Sequence, residues 1–357
     1  MQRRSENVEK IIAALHDAFA PGTHDTHASG LLRFHQFCDK LGIDEHTRMP
    51  ASTELLTAFA AEHIGEVGGG TVKSWLSAVH AWHDVAGAPW HGEARLLELV
   101  RKTAHKEGAK HSKPPRPPAT IEHMLALSKS LDRKNGEDLA VLACALATFW
   151  GCRRLGETTV PKGDGFDPKV HIARSAHPTR TQDGFSLHIP WTKSTGEKGG
   201  TLVLAEREDE LCPVKAFSQH INHEQTAPRG EIPLFSFRDS KDGEWKPLTK
   251  AYFLHRCKLI WEAHGLDNVA GHSFQIGGSS ELLMAGVPPQ IVAATGGWSS
   301  LAFLLYWRKL GNIIPKAIRA AYHKLSFDDL AKAFEQFRVQ SGITALQLNE
   351  YVIQNES

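Results

Sequence analysis

The amino-acid sequence predicts a mainly helical protein. An all-helical domain is followed by a basic, proline-rich linker and then by a mixed α/β domain, mostly helical around one small antiparallel sheet. Three observations carry this. Apolar residues recur at helical spacing on both sides of the cluster Lys113-Pro114-Pro115-Arg116-Pro117-Pro118. Those prolines cannot lie inside a helix and favour extended backbone. Between 159 and 204, glycine and proline punctuate short segments, and 185–191 (Phe-Ser-Leu-His-Ile-Pro-Trp) alternates in part like a strand.

Before the prolines, helices are expected over 5–18, 26–40 (apolar face Leu31, Leu32, Phe34, Phe37, Cys38) and 52–64. Gly68-Gly69-Gly70 then breaks the chain, and Thr71 is the expected N-cap of the next helix. That helix repeats Val72, Trp75, Leu76, Val79, Trp82 and Val85, so both tryptophans read as core. A further helix over 93–108 runs into the basic stretch. After the prolines, Thr120 starts a helix with Glu122 and His123, and 137–149 is helical and apolar. The segments 170–174 and 201–204 are the expected partners of the 185–191 strand. Helices follow over 212–223, 249–264, 279–284, 288–294 and 300–309, and Ser326 with Asp329 caps an amphipathic tail helix over 326–338.

Composition narrows the classes. The 357 residues are 41% hydrophobic and 23% charged, ordinary for a folded protein. No apolar run approaches the length of a membrane span, so no membrane partner is expected. The opening Met1-Gln2-Arg3-Arg4-Ser5-Glu6 has no apolar segment behind it, which predicts no secretory signal. Five widely spaced cysteines form no CxxC pair, which speaks for a reducing compartment and against a cysteine zinc module. No clustered ligand spacing suggests a metal, and the glycine triplet lacks the Gly-Lys-Ser/Thr of a phosphate loop. The net charge of +1 says little, but residues 95–118 are biased. Arg95, Arg101, Lys102, Lys106, Lys110, Lys113 and Arg116 face only Glu98 and Glu107 there. This is either a solvated flank or a phosphate-tracking strap, and the choice depends on whether the second domain handles nucleic acid. Lys73, off the apolar face of its helix, is a further candidate DNA contact.

Four segments of the second domain could carry chemistry. Gly151-Cys152-Arg153-Arg154-Leu155-Gly156-Glu157 ends the apolar helix, and an arginine near a core needs a partner such as Glu157. Lys193 sits at the end of the expected strand, with Lys198 as a rival in the same turn. Gly271-His272-Ser273-Phe274-Gln275-Ile276-Gly277-Gly278 leads into a helix, and Gly296-Gly297-Trp298 precedes Tyr306. Taken singly, each has a bland alternative: a structural ion pair, a surface lysine, a helix-capping histidine, a packed tyrosine.

The ordered set resembles the tyrosine recombinase (phage-integrase-like) family, and more narrowly the fungal recombinase-like proteins related to crypton-type elements. Arg154-Leu155-Gly156-Glu157 matches the family's Arg-x-x-Glu. Lys193 matches its hairpin lysine, the stretch around His272 its His-x-x-Arg, and Gly297-Trp298 with Tyr306 its last two signals. The resemblance implies a helical SAM-like core-binding domain over 1–110, a linker over 111–119, a catalytic domain over 120–325 and a helical tail over 326–357. It implies double-stranded DNA as partner, no cofactor, and breakage and rejoining through a 3′-phosphotyrosine. Arg154 would clamp the scissile phosphate with Glu157 as its support. Lys193 would be the general acid, His272 the base or a phosphate ligand, Trp298 an indole donor to the phosphate and Tyr306 the nucleophile. A tail helix docked on a neighbouring protomer would give a homo-oligomer on DNA, and the resemblance places the protein in the nucleus.

Two departures qualify this. Gln275 stands where the family has its second arginine, and an amide donates but carries no charge. Loss of one neutral oxyanion donor costs about two to three orders of magnitude in rate, and loss of a cation at least as much. Tyr306 follows Trp298 by eight residues, one short of the family's spacing, so either Trp298 or Gly297 occupies the His/Trp position. The expectation is an impaired recombinase, with a DNA-binding protein that no longer cuts as the alternative. A third class, an interaction protein, has only the amphipathic tail behind it.

Overall fold

Capping and apolar period decide most helix ends in the computed structural model, which describes residues 21–112, 116–223, 230–298, 335, 336 and 339. The expected helices at 5–18, 300–309 and 326–338 fall largely or wholly outside these residues, as do Lys113 and Tyr306. The chain divides into two units, Met1–Pro115 and Arg116–Ser357.

The first unit is all-helical: α1 (Pro21–Lys40), α2 (Thr53–Glu62), α3 (Gly69–Ala86) and α4 (Arg95–Glu107), with short 3₁₀ turns at Glu45–Thr47 and Gly108–His111. Ser52 caps α2 by accepting from the Leu55 amide. Phe34, Phe37, Leu56, Phe59, Val72, Leu76, Val79 and Leu97 form the core, and Trp75 and Trp82 pack against it. The cap of α3 is Gly68 rather than Thr71. The triplet reads as a break, yet Gly69 is helical because its Cα rests on the α4 backbone; a Cβ there would meet His105 Cα at 2.3 Å.

In the second unit, Thr120 and His123 form a reciprocal capping box on α5 (Ile121–Ser130). Asn135 caps α6 (Gly136–Trp150), in which every side chain from Asp138 onward is buried. A helix apolar on all sides belongs at the centre of its domain, and α6 is that centre. The short α7 (Leu155–Thr158) follows, then β1 (Thr179–Thr181), β2 (Gly184–Ile189) and β3 (Gly200–Ala205) as one antiparallel sheet in chain order. Phe185, Leu187 and Ile189 alternate inward on β2 and pair with Leu204, Leu202 and Gly200.

The 170–174 segment is not a strand of this sheet. Arg174 N–H donates to Ile232 O at 2.8 Å, and Ala173 bridges Pro233, so the segment belongs to the 232–236 loop. The Arg174 guanidinium pins it there, donating to His220 Nε2 at 2.8 Å and Ser236 O at 3.1 Å. The remaining elements are α8 (Pro213–His223), a two-residue ribbon β4 (Phe237–Arg238) with β5 (Trp245–Lys246), α9 (Lys250–Ala263), α10 (Gly271–Met284) and α11 (Pro289–Gly296). Helix α10 begins at Gly271, eight residues ahead of the expected start at 279. Gly277 and Gly278 punctuate the sequence but not the helix. They let it seat against α6, since a Cβ on Gly278 would lie 1.7 Å from Phe149 O.

Candidate active site at the end of helix α6

The site is built where the buried helix α6 stops. Gly151 N–H and Cys152 N–H still bond back to Ala147 O and Phe149 O, but Cys152 turns into the left-handed region at φ 50° and the chain leaves the helix. Arg153 and Arg154 therefore do not diverge by a helical step. Arg153 precedes the cap of α7, Arg154 is that cap, and both reach back to the Glu157 carboxylate.

Arg153 is the buried one, with its side chain 1% exposed. Its Nε donates to Glu157 Oε2 at 2.8 Å and its Nη1 to Thr295 O at 3.2 Å, in the last turn of α11. Two glycines make room for it. A Cβ on Gly200 would stand 2.8 Å from Nη2, and one on Gly297 would stand 2.8 Å from Nη1. Burial lowers the Arg153 pKa and the Glu157 charge opposes that shift. A guanidinium stays protonated in such surroundings. The negative end of α11 is a suitable place for it.

Arg154 is 28% exposed. Its Nη1 donates to Glu157 Oε1 at 3.1 Å and to Ser194 Oγ at 3.2 Å. Its Nε and Nη2 make no hydrogen bond among the described residues. Two guanidiniums thus share one carboxylate, which leaves one positive charge in excess, and the partly exposed Arg154 presents it.

Lys193 lies in a tight turn whose ends, Thr192 and Gly196, exchange both backbone hydrogen bonds at 3.2 and 2.9 Å. Thr195 Oγ1 closes it below by donating to Gly199 O at 2.6 Å. Lys193 and Lys198 are both exposed on this turn. Ser194 Oγ donates to Gly297 O at 3.3 Å, so the turn touches both Arg154 and the left-handed cap of α11.

His272 is half-buried in the first turn of α10, next to Gly271, where a Cβ would meet Leu155 Cδ2 at 2.9 Å. Gln275 lies one turn further, between Gly271 and Gly278 on the face that meets residues 149–155. It is fully buried, and neither polar atom of its amide has a hydrogen-bond partner among the described residues. Trp298 follows the α11 cap directly.

The described parts of the four sequence segments therefore meet, while Tyr306 lies outside the described residues. Residues 152–157 touch the 192–200 turn through Ser194, the end of α11 through Thr295, and α10 through Leu155 and Cys152. Sequence reasoning did not find Ser194, Thr295 or the burial of Arg153. The one local signal was the pair Gly200 and Gly297, whose missing side chains leave space for a guanidinium. Among the described residues no group of three or more His, Cys, Asp or Glu side chains could hold a metal. No helix among them is long and apolar enough to cross a membrane. All five cysteines are free and buried, and burial pushes the Cys144 and Cys152 thiols up to about 12.

In the first unit, Arg95 and Lys102 both pair with Glu98 on α4, at 2.6 and 3.1 Å. Lys106 and Lys110 extend that exposed side, Arg101 is half-buried, and Lys73 is exposed on α3. Arg116, in the second unit, is exposed.

No protein-family model matches the chain, and no curated protein matches it in sequence. Solved structures do match in fold. The XerH site-specific recombinase bound to a palindromic difH substrate, a post-cleavage complex, aligns over 84% of this chain and 80% of its own, with 14% identity and a TM-score of 0.56. A lambda integrase dimer bound to a COC′ core site aligns over 86% and 94%, with 13% identity and a TM-score of 0.51. The chain shares the fold of these recombinases. It is mainly helical, with a smaller mixed region holding the antiparallel sheet, as the sequence predicted.

Proposed function

We propose that the protein binds duplex DNA and breaks and rejoins it through a 3′-phosphotyrosine intermediate, with a rate reduced by Gln275. The observation that carries this is Arg154. It is half-presented, braced by Glu157, in contact with the Lys193 turn, and retains an Nε–H and an Nη2 amino group for an anion, in a chain that folds as recombinases do. A phosphodiester gains charge on its non-bridging oxygens during in-line attack, and preorganised donors aimed there supply most of the rate.

In this mechanism Arg154 binds the phosphate and Glu157 orients it. The Tyr306 oxygen attacks phosphorus as His272 takes the phenolic proton, and Lys193 delivers a proton to the departing 5′ oxygen. Trp298 donates its indole N–H to the phosphate. Arg95, Arg101, Lys102, Lys106, Lys110, Lys113, Arg116 and Lys73 track the DNA backbone, with the basic stretch 95–118 as a strap joining a core-binding and a catalytic half. The crypton-like kinship, a nuclear location and assembly through a tail helix at 326–338 belong to the same proposal.

Gln275 favours a second reading, a recombinase-derived DNA-binding protein that no longer cuts. Phosphate binding is distributed over many groups and survives the loss of one cation, whereas catalysis at a single phosphate does not. Incubation with nicked suicide duplexes carrying candidate sites separates the two. The first reading expects a covalent adduct with the wild type that Tyr306→Phe abolishes and Gln275→Arg increases by about a hundredfold. An adduct only in Gln275→Arg supports the second. Salt-sensitive binding with no adduct from any variant removes strand transfer. Absence of salt-sensitive binding removes both.

A further inference from the structure

We propose that Ser194 is a positioning residue. Its hydroxyl ties the Lys193 turn to Arg154 on one side and to the cap of α11 on the other, and so sets where the Lys193 ammonium stands. The inference rests on the strand-transfer reading for its chemical consequence but not for the tether itself.

The hydroxyl is used in a defined direction. It accepts from Arg154 Nη1 at 3.2 Å and donates to Gly297 O at 3.3 Å. A guanidinium has only donors and a carbonyl only acceptors, so the single hydroxyl proton has one place to go. The neighbouring hydroxyls face elsewhere. Thr195 Oγ1 serves Gly199 O, and Thr192 Oγ1 accepts from the Thr195 amide at 3.2 Å, which shapes the turn from within. Among the described residues, Ser194 makes the one hydrogen bond from the turn to the arginine pair. The far anchor is firm, because Thr295 O, two residues before Gly297, is held by buried Arg153. The α11 cap is thus gripped twice, by Arg153 below and by Ser194 at the rim.

Lys193 is the residue directly before Ser194, and its backbone is placed by this tether. In the strand-transfer step the tyrosine oxygen–phosphorus bond forms and the phosphorus–O5′ bond breaks. The Tyr306 proton passes to His272 and a Lys193 proton ends on O5′. A general acid must lie within hydrogen-bond reach of that oxygen. A loose turn would spread the ammonium over many positions, whereas a tether to the same arginine that binds the phosphate keeps acid and phosphate in one frame.

The test compares the full chain with Ser194→Ala and Ser194→Thr. Ser194 is exposed, so both should keep the wild-type melting temperature within a few degrees. Backbone hydrogen exchange is followed first, without DNA, in peptides covering 192–199 and 295–298. Exchange at least tenfold faster in Ser194→Ala and restored in Ser194→Thr upholds the tether; unchanged exchange overturns it whatever the DNA assay shows. Adduct formation is then measured in the most active background, wild type or Gln275→Arg, on ordinary duplex and on duplex with a bridging 5′ sulfur. A thiolate leaves without an acid, so a defect acting through Lys193 should be tenfold or more on oxygen and vanish on sulfur, with DNA affinity unchanged. A defect persisting on sulfur, or no defect on oxygen, overturns the positioning role. If no background forms an adduct, faster exchange still upholds Ser194 as the residue that holds the turn, and strand transfer falls separately.

Discussion

Two buried polar groups lie on either side of the α6 terminus, and they are treated in opposite ways. Arg153, with a full charge, has Glu157 and the Thr295 carbonyl, and two glycines leave space for its planar group. Gln275, neutral and smaller, has no partner for either amide atom among the described residues. The difference shows which group the fold depends on. A buried charge without a partner would cost several kcal/mol, so Arg153 and Glu157 have to be specified together. An orphaned amide costs about 1–3 kcal/mol, a burden a stable domain can carry. Arg153 therefore reads as framework. Gln275 is buried without contributing a hydrogen bond among the described residues.

The sharpest way to break this contrast is Arg153→Ala. It leaves a cavity and removes one of the two arginine partners of Glu157, with Arg154 still paired, and should lower stability by about 3 kcal/mol in chemical denaturation. Arg153→Met combined with Glu157→Leu should recover most of that loss. If Arg153→Ala costs under about 1 kcal/mol, Arg153 is not framework.

Gly278→Ala comes next. With the added carbon 1.7 Å from Phe149 O, α10 must shift, and a loss of about 3 kcal/mol is expected.

His220 is the neutral counterpart of Arg153, a buried base satisfied without a charge. Burial, with Arg174 beside it, lowers its pKa to about 3. Between an ordinary histidine pKa near 6.5 and that value, the unfolded chain binds a proton that the folded chain refuses. Stability should therefore fall as pH drops through this window, by up to about 1.4 kcal/mol per pH unit from this group. His220→Gln should flatten that part of a melting-temperature profile; an unchanged slope would assign the acid sensitivity elsewhere.

Gln275→Leu removes the orphaned amide and should raise stability by about 1–2 kcal/mol. A loss instead would mean that the amide is satisfied after all. The smallest effect is Gly156→Ala in α7. Nothing lies within 4 Å of the added carbon, so a gain of about 0.5 kcal/mol is expected, opposite in sign to the same change at Gly278.

Much of the architecture was legible locally. Ser52 and Thr120 mark helix starts by their own side chains, the apolar run in 137–149 identifies the central helix, and alternation finds β2. What failed depended on distant partners. Gly69 and Gly277-Gly278 read as breaks because the backbones they abut, His105, Ala119 and Phe149, are not neighbours in sequence. Segment 170–174 has strand composition, but its partner lies some sixty residues on, at 232–236. The β4–β5 ribbon has two residues per strand, too few for any alternation. In the candidate site, order and spacing put Arg154 and Glu157 forward as a pair, and the two do pair, at 3.1 Å. The adjacent Arg153 satisfies the same local chemistry, and only Gly200 and Gly297 decide which of the two goes inside.

The seat of Gly278 on the Phe149 carbonyl also limits how position 275 can change. The two backbones touch at Gly278, and Gln275, three residues before it on α10, is fully buried. Helical side chains lean toward their own N-terminus, so an extended group at 275 would point toward Gly271. Gly271 is itself packed against Leu155, so that direction leads toward the start of α7.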